Sequence, residues 1–409
     1  MIAPYLCFDL WFSFYGSRPE DRCANLKEEA MRMPIRYHQM LVSPHLGGGE
    51  KIAIGIHEHI VANRGPTSQL MLPGGGEVEQ SAKQAGVPFV NYRIDHLTGP
   101  SLIMTILENL KLYAKTLRHG TGIVHVHSPF VYGAARLFFS ASRLKTVLHI
   151  HLDYSSEQLK WPLRRFPDLI ISCAGFMKKA IDQAIGEGRS DRTRIKIIEN
   201  AIDLKRFGSA EPRTAKIRLG IYDDIPLLMM IANLAPHKGQ ETAIRTVAEL
   251  KKRGLTAKLW LVGSERSDVQ GYLRNMRELC KHLSVDNQVD FVGFRNDVPE
   301  LLAAADFLLL PSRSEGLPLV ILEAQAAKAI VLASPTAGIP EVIKNGRTGF
   351  LIDAIDHKAY AERIAQLLDN PYETKKIMDV AYRYVCDHHD IEAYGSRILQ
   401  AYDELLPAR

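Results

Sequence analysis

Short apolar runs rich in β-branched residues recur along most of this chain, and each is followed by a longer stretch with helical periodicity. This alternation is typical of βα units, which place their strands in a parallel sheet with helices on both faces. The series ends near residue 198 and starts again at residue 227. The sequence therefore predicts an α/β fold made of two Rossmann-like, doubly wound units that face each other across a cleft.

The strand predictions divide between these two units. In the first unit the predicted strands are residues 39–43, 69–72, 88–92, 123–127, 146–151, 169–173 and 196–198. In the second unit they are residues 227–233, 258–263, 289–292, 307–311, 331–334 and 349–352. A helix is predicted over residues 239–253.

The length of 409 residues agrees with this division, because domains average roughly 150 residues. We expect the first unit to span residues 34–205 and the second to span residues 206–385. Residues 1–33 precede the first strand and fit neither unit, so we expect an appendage there, either disordered or carrying a short helix near residues 21–32.

Charge and cysteine content exclude several classes of protein. Lysine and arginine number 51 against 46 aspartates and glutamates, which leaves a net charge of +5. That excess is milder than the dense basic stripe of nucleic-acid-binding proteins, so we expect no nucleic-acid partner. The five cysteines are odd in number and lack C-x-x-C spacing, which indicates neither a disulfide framework nor a thiolate zinc site. We therefore expect a cytoplasmic protein.

A glycine-rich turn follows the first predicted strand. Residues 44–50 read Pro-His-Leu-Gly-Gly-Gly-Glu and lead into a helix whose apolar stripe is Ile52, Ile56 and Ile60. Glycines at such a turn let backbone N–H groups approach an anion at the helix N-terminus. A tight turn without a ligand explains the same residues equally well, and the dinucleotide fingerprint G-x-G-x-x-G is absent.

Two His-x-His pairs, His125/His127 and His149/His151, stand at predicted strand ends. Side chains two residues apart on a strand share a face, so each pair presents two imidazoles to one side. A hydrolytic zinc site would need further ligands that the sequence does not assemble. We expect one histidine to act in the cleft and the others to be structural.

The second unit carries the strongest motif. Residues 314–324 read Ser-Glu-Gly-Leu-Pro-Leu-Val-Ile-Leu-Glu-Ala, directly after an apolar strand. Pro318 suits a helix start, which leaves backbone N–H groups of Leu317, Leu319 and Val320 for an anion. Glu323 lies two helical turns beyond Glu315 between apolar neighbours, and a carboxylate there needs partners such as vicinal hydroxyls. A lysine at another helix entrance, Lys238, is placed to meet a phosphate or to stay in solvent.

With these residues, the chain from about Tyr37 onward resembles the retaining GT-B glycosyltransferases of family 4. The E-x7-E element matches at Glu315 and Glu323, and the Gly-Gly-x-Glu turn matches at Gly47, Gly48 and Glu50. The family's phosphate-binding motif is an arginine followed five residues later by Lys-Gly, and this chain keeps Lys238 but has Asn233 in place of the arginine. The Asn-Gly-Val-Asp motif between the two domains matches from Asn200 onward, with Ala201 in place of glycine. The resemblance also implies that a C-terminal helix, residues 386–409, packs back on the first unit.

The resemblance implies a role for each matched residue. Glu323 would bind the ribose of the nucleotide, and Glu315 would contact hydroxyls of the donor sugar. The diphosphate would be held by Lys238 and by the turn from Leu317 to Val320. Gly47, Gly48 and Asn233 would also bind the donor. His151 matches the active-site histidine and would act with Glu315 in catalysis.

The predicted function is therefore transfer of a sugar, with retention, from a UDP- or GDP-sugar to a glycan or lipid-linked acceptor, in surface polysaccharide or glycolipid synthesis. The nucleotide-sugar is a co-substrate, and we expect no cofactor and no metal, because helix N-termini and Lys238 can stabilise the leaving diphosphate. Two alternatives are a nucleotide-sugar hydrolase or epimerase on the same fold, and a non-catalytic nucleotide-sugar sensor.

A basic, aromatic segment at residues 159–167 suggests where such an enzyme works. Cations and aromatic rings interleave there, which suits attachment to an anionic membrane surface. Buried aromatics in an ordinary loop explain the segment equally well. The residues expected at the cytoplasmic face of the membrane are Lys160, Trp161, Arg164, Arg165 and Phe166.

Overall fold

The computed structural model describes residues 35–92, 121–141, 143–186, 193–208, 211–222, 224–265 and 269–406. The predicted appendage of residues 1–33 lies outside them. Within the described residues the chain forms two parallel sheets, each flanked by helices. No described helix combines the length and the apolar character that crossing a bilayer requires.

The first sheet has seven parallel strands in the order β3-β2-β1-β4-β5-β6-β7. The order reverses between β1 and β4, and ligands of doubly wound sheets bind at the carboxyl ends of the strands near such a reversal. The strands are β1 (Arg36–Met40), β2 (Ser68–Leu72), β3 (Phe89–Asn91), β4 (Thr121–Val126), β5 (Arg143–Ile150), β6 (Leu169–Ser172) and β7 (Arg194–Ile197).

Helices cover this sheet, and the first of them follows the glycine-rich turn. Its predicted stripe of Ile52, Ile56 and Ile60 is buried, which confirms the helical period read from the sequence. The helices of this unit are α1 (Gly48–Arg64), α2 (Gly76–Gln84), α3 (Pro129–Ala141), α4 (Ser156–Lys160) and α5 (Lys178–Ile185).

The second sheet has six parallel strands in the order β10-β9-β8-β11-β12-β13, with its reversal between β8 and β11. Its central strand β11 is buried along its whole length, as expected where helices cover both faces. The strands are β8 (Leu227–Ile231), β9 (Lys258–Val262), β10 (Val289–Gly293), β11 (Phe307–Leu310), β12 (Ile330–Ala333) and β13 (Phe350–Leu351).

Nine described helices accompany the second sheet and the C-terminus. The helix predicted over residues 239–253 is confirmed as α7, within one residue at each end. These helices are α6 (Pro212–Arg218), α7 (Gln240–Lys252), α8 (Tyr272–His282), α9 (Val298–Ala304), α10 (Leu319–Ala326), α11 (Ile339–Val342), α12 (His357–Asp369), α13 (Pro371–His388) and α14 (Ile391–Asp403).

The last helix, α14, packs against α1 beside the first sheet. Asp403 accepts a hydrogen bond from Arg64 at 2.7 Å, and the buried hydroxyl of Tyr402 lies 2.6 Å from Nδ1 of His125. The chain therefore returns from the second unit to the first, and its C-terminal residues complete the core of the first unit.

Each predicted strand is present, but several boundaries were wrong. β1 ends at Met40, three residues before its predicted end at Ser43, because the Ser43 N–H turns to the Glu50 carboxylate at 3.1 Å. The strands predicted over residues 123–127, 146–151 and 227–233 were also one or two residues too long, because His127, His151 and Asn233 follow the last strand residues. These three polar residues lie in loops at the carboxyl edges of the sheets.

Candidate active site

The glycine-rich turn, the end of β5 and the start of α10 meet at one place. A Cβ at Gly49 would lie 3.4 Å from the His151 ring, and one at Gly48 would lie 3.8 Å from the Leu319 side chain. The predicted residues Gly48, His151 and Leu319 therefore lie together where the two units face each other.

Glu50 fixes the shape of this turn. Its carboxylate accepts a hydrogen bond from the Ser43 N–H at 3.1 Å, and burial raises the pKa of Glu50 above its usual value. A Cβ at Gly47 would lie 2.8 Å from the Glu50 carboxylate, so a side chain there would displace it. Gly47 and Glu50 thus shape the turn that Gly48 and Gly49 present to the cleft.

Lys238 contacts both carboxylate oxygens of Glu315 in an ion pair within the second unit. The Lys238 Nζ lies 2.8 Å and 2.9 Å from the two carboxylate oxygens of Glu315. The Glu315 side chain is only 8% exposed and the Lys238 side chain 21%. Gly239, which follows Lys238, has a positive φ of 85°, and a Cβ there would lie 2.1 Å from the Pro311 carbonyl oxygen. Only glycine lets the chain turn here and bring Lys238 to Glu315.

Glu323 forms an ion pair with a lysine of the first unit. The Nζ of Lys51 on α1 lies 3.1 Å from Oε1 of Glu323 on α10, and the Glu323 side chain is 8% exposed. Both glutamates of the E-x7-E motif are therefore buried and ion-paired. Sequence reasoning missed Lys51, and the available signal was its position directly after the Gly-Gly-x-Glu turn.

The loop that precedes α10 is held against the first unit. The Leu317 carbonyl accepts a hydrogen bond from Nδ2 of Asn200 at 2.9 Å, and Gly316 pairs with Leu152 in an isolated bridge. A Cβ at Gly316 would lie 1.9 Å from the His151 carbonyl oxygen. The predicted residues Glu315 and His151 therefore belong to segments that touch.

The Leu317 backbone lies close to a thiol of the first unit. Burial raises the pKa of the Cys173 thiol to about 12, while a hydrogen bond from the Leu317 backbone acts in the opposite direction. The role of the Leu317 N–H at the diphosphate stays a prediction. The N–H groups of Leu319 and Val320 stand in the first turn of α10, where a helix leaves its amides without intrahelical partners.

A cavity of about 640 Å³ opens beside the Lys51–Glu323 pair. Asn233 lines it, and its carbonyl accepts a hydrogen bond from Nε2 of Gln240 at 3.0 Å. Phe294, which is 53% exposed, and Arg295 form the wall that follows β10. Small-molecule sites have volumes of about 300 to 1,000 Å³, so the cavity can hold a nucleoside.

The two His-x-His pairs form one stack of imidazoles. The ring centroids of His149 and His151 are 3.9 Å apart, and those of His125 and His127 are 4.4 Å apart. Burial lowers the pKa of His151 to about 3 and the pKa values of the other three well below their usual range. All four rings are therefore neutral at physiological pH.

The stack also contains a candidate metal-ligand set. Ring nitrogens of His125, His127 and His149 lie within 4.8 Å of one another. Their ring planes are inclined by only 12° to 33°. Stacked imidazoles direct their in-plane lone pairs along neighbouring planes, whereas a tetrahedral ion needs lone pairs that converge on one point. The orientation favours stacked neutral rings over a metal centre.

The basic, aromatic segment turns its apolar residues inward. Leu159 and Leu163 are buried, and Trp161 is half-buried against Gly133 with the Arg136 guanidinium 4.9 Å from its ring. Phe166 is half-buried against the core, and Lys160 pairs with Glu157. Arg164 and Arg165 remain exposed. The segment thus exposes three cations, of which Lys160 is ion-paired, while its two aromatic rings are half-buried.

Two family models match the chain, one for each unit. Glycosyltransferase Family 4 matches residues 46–206, and Glycosyl transferases group 1 matches residues 213–384. The chain belongs to the group 1 and family 4 glycosyltransferases. This membership confirms the family that the E-x7-E and Gly-Gly-x-Glu motifs indicate.

Curated relatives of this glycosyltransferase match over part of their length. The D-inositol 3-phosphate glycosyltransferase of Streptomyces avermitilis is 28% identical over 211 residues, covering 50% of this chain and 45% of the relative. A GDP-mannose-dependent monoacylated alpha-(1-6)-phosphatidylinositol monomannoside mannosyltransferase of Corynebacterium glutamicum is 32% identical over 213 residues, covering 49% and 54%. The matches thus span about half of each relative.

Solved structures match the glycosyltransferase chain more fully. Anabaena HepE in complex with UDP and glucose aligns with a TM-score of 0.78 and 21% identity, covering 90% of this chain and all of HepE. Sucrose-phosphate synthase from Thermosynechococcus elongatus aligns with a TM-score of 0.74 and 19% identity, covering 91% and 99%. These likenesses show the fold, which is the predicted GT-B arrangement of two Rossmann-like domains.

Proposed function

We propose that this chain transfers a sugar from a UDP- or GDP-sugar to a hydroxyl group of a glycan or lipid-linked acceptor, with retention. One observation carries the proposal: Glu315 and Glu323 are both buried at the domain cleft, and each is paired with a lysine. Buried carboxylates need hydrogen-bond donors, and sugar hydroxyls supply them. Lysines beside them supply the positive charge that a diphosphate needs.

The donor fits this arrangement along α10. The ribose hydroxyls would bind Glu323, with the base in the 640 Å³ cavity beside Asn233 and Phe294. The diphosphate would lie between Lys238 and the first-turn amides of α10, where the helix dipole favours an anion. The sugar would then reach Glu315 and His151.

The transfer breaks the bond between the anomeric carbon and the diphosphate, and the acceptor oxygen forms the new bond. The acceptor proton leaves with the departing nucleoside diphosphate. Negative charge grows on the diphosphate as the bond breaks, and Lys238 with the amides of Leu319 and Val320 would stabilise that charge. This set of residues needs no metal, so none is included in the proposed mechanism.

Relatives support a nucleotide-sugar donor, and one of them supports a lipid-linked acceptor. HepE structures contain UDP, glucose or UDP-glucose, and the corynebacterial relative is named as GDP-mannose-dependent and acts on a phosphatidylinositol mannoside. The streptomycete relative is named for an inositol phosphate acceptor. A role in surface polysaccharide or glycolipid synthesis follows for this chain as part of the proposal.

The proposal is tested by donor binding and turnover. UDP-, GDP- and ADP-sugars should be screened by thermal shift, because a bound donor raises the melting temperature by mass action. Glu323→Gln should weaken the binding of the active donor about tenfold or more, since a charge-assisted hydrogen bond contributes ~1.5 to 3 kcal/mol. Glu392→Gln is the matched control, because Glu392 lines the same cavity but is 58% exposed.

Three results would contradict the proposal. Equal donor affinity of Glu323→Gln and Glu392→Gln would exclude Glu323 as the ribose ligand. Release of free sugar at the same rate with and without acceptors would favour the hydrolase or epimerase. Tight binding of a donor without turnover on any acceptor would favour the sensor.

The location at an anionic membrane surface is a further part of the proposal. Its support is reduced to the exposed Arg164 and Arg165, because the apolar residues of the segment face the core. We expect salt-sensitive binding to anionic vesicles that falls in Arg164→Glu/Arg165→Glu. Lys375→Glu/Lys376→Glu is the control, because it makes the same charge change at two exposed residues of α13. Equal binding by both variants would remove the membrane surface from the proposal.

A further inference from the structure

Two aromatic rings contact each other just after strands β4 and β5 end. The ring centroids of Phe130 and Tyr154 are 5.6 Å apart, and the ring planes are inclined by 79°. In such an edge-to-face pair, each ring keeps at least one face free of the other ring. Phe130 is 44% exposed, and Tyr154 is half-buried. This pair, which we call the aromatic platform, is therefore open to a ligand at the carboxyl edge of the first sheet.

The aromatic platform lies close to His151. Nδ1 of His127 and Nε2 of His151 are 2.9 Å apart, and Phe130 and Tyr154 follow these two histidines by three residues each. Three residues of fully extended chain span at most about 11 Å. A sugar ring on the platform is therefore near enough to the cleft to carry the reacting hydroxyl, or to be the next sugar of a glycan that does.

Capped helix starts hold the backbone beneath both rings. At the start of α3, Oγ of Ser128 accepts a hydrogen bond from the Phe130 N–H at 3.2 Å. At the start of α4, Ser155 and Gln158 form a capping box, in which each side chain accepts a hydrogen bond from the N–H of the other residue. Tyr154 directly precedes this box. The platform is therefore ordered before a ligand binds, which lowers the entropy lost on binding.

The exposure of phenylalanine rings is confined to the ligand-binding edges of the two sheets. Of the phenylalanines whose burial the structure describes, only Phe130 and Phe294 are exposed. Phe294 follows β10 and lines the cavity proposed for the nucleoside, whereas Phe130 follows β4. Leu152, which is 55% exposed, adds apolar surface where it pairs with Gly316 of the second unit. Apolar surface is thus open on both sides of the cleft, as at a binding site.

The charges at this edge of the first sheet favour an uncharged ligand. The loops after β1, β4 and β5 contain no lysine or arginine; they are residues 43–50, 127–130 and 151–155. Lys51, which follows the first of these loops, is paired with Glu323. The exposed carboxylate in the loops is Asp153. A phosphate on the acceptor would therefore meet a carboxylate and no cation there, whereas sugar hydroxyls can donate hydrogen bonds to Asp153.

We propose that Phe130 and Tyr154 form an acceptor subsite, in which a sugar ring of an uncharged glycan lies against the aromatic platform. The C–H groups on one face of a sugar ring carry partial positive charge, and the faces of aromatic rings are negative. Hydroxyl groups at the edge of the same sugar can bind Asp153. This inference rests on the proposed function, and it narrows the acceptor to a neutral sugar that is recognised by its ring and not by a lipid tail.

The class of acceptor is tested by sugar transfer from the donor that the thermal-shift screen identifies. The neutral probes are methyl and octyl glycosides of glucose, galactose, mannose and N-acetylglucosamine, and the charged probes are myo-inositol 1-phosphate and methyl glucoside 6-phosphate. We expect the best methyl glycoside to have a kcat/KM about tenfold or more above that of either charged probe. A charged probe that is used equally well, or transfer to octyl glycosides alone, would overturn the inference.

The role of the aromatic faces is tested by variants that keep an apolar side chain. Phe130→Leu and Tyr154→Leu should each raise the acceptor KM about tenfold and leave the affinity for UDP or GDP unchanged, whereas Tyr154→Phe keeps the ring and should keep the acceptor KM. Tyr372→Leu is the matched control, because it removes a ring that is 84% exposed at the start of α13. Unchanged acceptor KM in both platform variants, or an equal rise in Tyr372→Leu, would overturn the inference.

Binding measured without turnover covers the case in which Tyr154→Leu fails to fold, since Tyr154 packs against the core. With UDP or GDP bound, saturation-transfer difference NMR of the best methyl glycoside should give its strongest signals for C–H protons on one face of the sugar. Phe130→Leu should lose these signals but keep its melting temperature within about two degrees, because Phe130 is exposed. Equal signals in Phe130→Leu and wild type would contradict the inference. Absence of transfer to every probe would instead contradict the proposed function.

Discussion

Lys51 and Glu323 form a 3.1 Å ion pair that joins helix α1 of the first domain to helix α10 of the second. The Glu323 side chain is 8% exposed and that of Lys51 is 34% exposed. The carboxylate that is proposed to bind the ribose therefore already has a partner from the opposite domain. A bound ribose must share Glu323 with Lys51 or replace it.

Removing Lys51 should destabilise the protein without donor. Lys51→Met leaves a buried carboxylate without its cation, which should cost about 1 to 3 kcal/mol of unfolding free energy. Urea denaturation measures that change. Lys178→Met is the control, because the exposed Lys178–Asp182 pair should contribute about 0.5 kcal/mol or less. Equal changes in the two variants would show that the interdomain pair contributes no more than a surface pair.

Lys238 should matter chiefly for the diphosphate. Lys238→Met removes the charge beside Glu315, and the affinity for UDP or GDP should fall by about ten- to a hundredfold, since charged hydrogen bonds contribute ~1.5 to 3 kcal/mol. Calorimetric titration with the nucleoside diphosphate measures this. Lys238→Arg should keep more of the affinity because it keeps the charge. Unchanged binding in Lys238→Met would remove this residue from the donor site.

Gly316→Ala should disrupt the contact between the domains. A Cβ there would lie 1.9 Å from the His151 carbonyl, so one of the two backbones would have to move. We expect a melting temperature several degrees lower. In Gly48→Ala the new Cβ would make only an ordinary 3.8 Å contact with Leu319, so the melting temperature should stay close to that of the wild type. The reverse order of the two melting temperatures would contradict the structure at this contact.

The pKa values of buried histidines predict acid sensitivity. Burial lowers the pKa values of His38 and His389 to about 4. Between pH 6.5 and about pH 4, these histidines are therefore protonated in the unfolded chain but not in the folded chain. Stability should be highest above pH 6.5 and should fall as the pH drops, by up to ~1.4 kcal/mol per pH unit for each such histidine.

Urea denaturation at pH 7, 6 and 5 tests that dependence, and His38→Leu removes one of the groups. The variant should lose stability less steeply with falling pH than the wild type does. The same slope in both proteins would mean that His38 titrates alike in the folded and unfolded states.

The metal-independence of the proposed site is tested by chelation. Sugar transfer should be unchanged after dialysis against EDTA, because Lys238 and the α10 amides are expected to stabilise the leaving group. Loss of activity that one divalent ion alone restores would favour a metal at His125, His127 and His149.

Local patterns predicted the fold well, since a strand or helix is specified by neighbouring residues. The glycine-rich turn and the E-x7-E motif could be placed for the same reason. Lys51 and Glu323 are 272 residues apart, and Gln39 and Tyr402 are 363 apart. No local pattern connects such pairs, so their contacts are visible only in the folded chain.

Two further contacts also depend on distant residues. The Leu317 backbone lies close to Cys173 of the other domain. Trp161 and Phe166 turn toward helix α3 and the core, although their segment alternates aromatic and basic residues. The sequence of each segment alone does not contain these contacts.

A crystal structure with an intact UDP- or GDP-sugar tests the proposed donor site most directly. We predict that the ribose hydroxyls lie within hydrogen-bond distance of the Glu323 carboxylate, that the diphosphate contacts Lys238, and that the sugar reaches Glu315. A nucleotide bound elsewhere, or one that leaves both glutamates untouched, would contradict the proposed site.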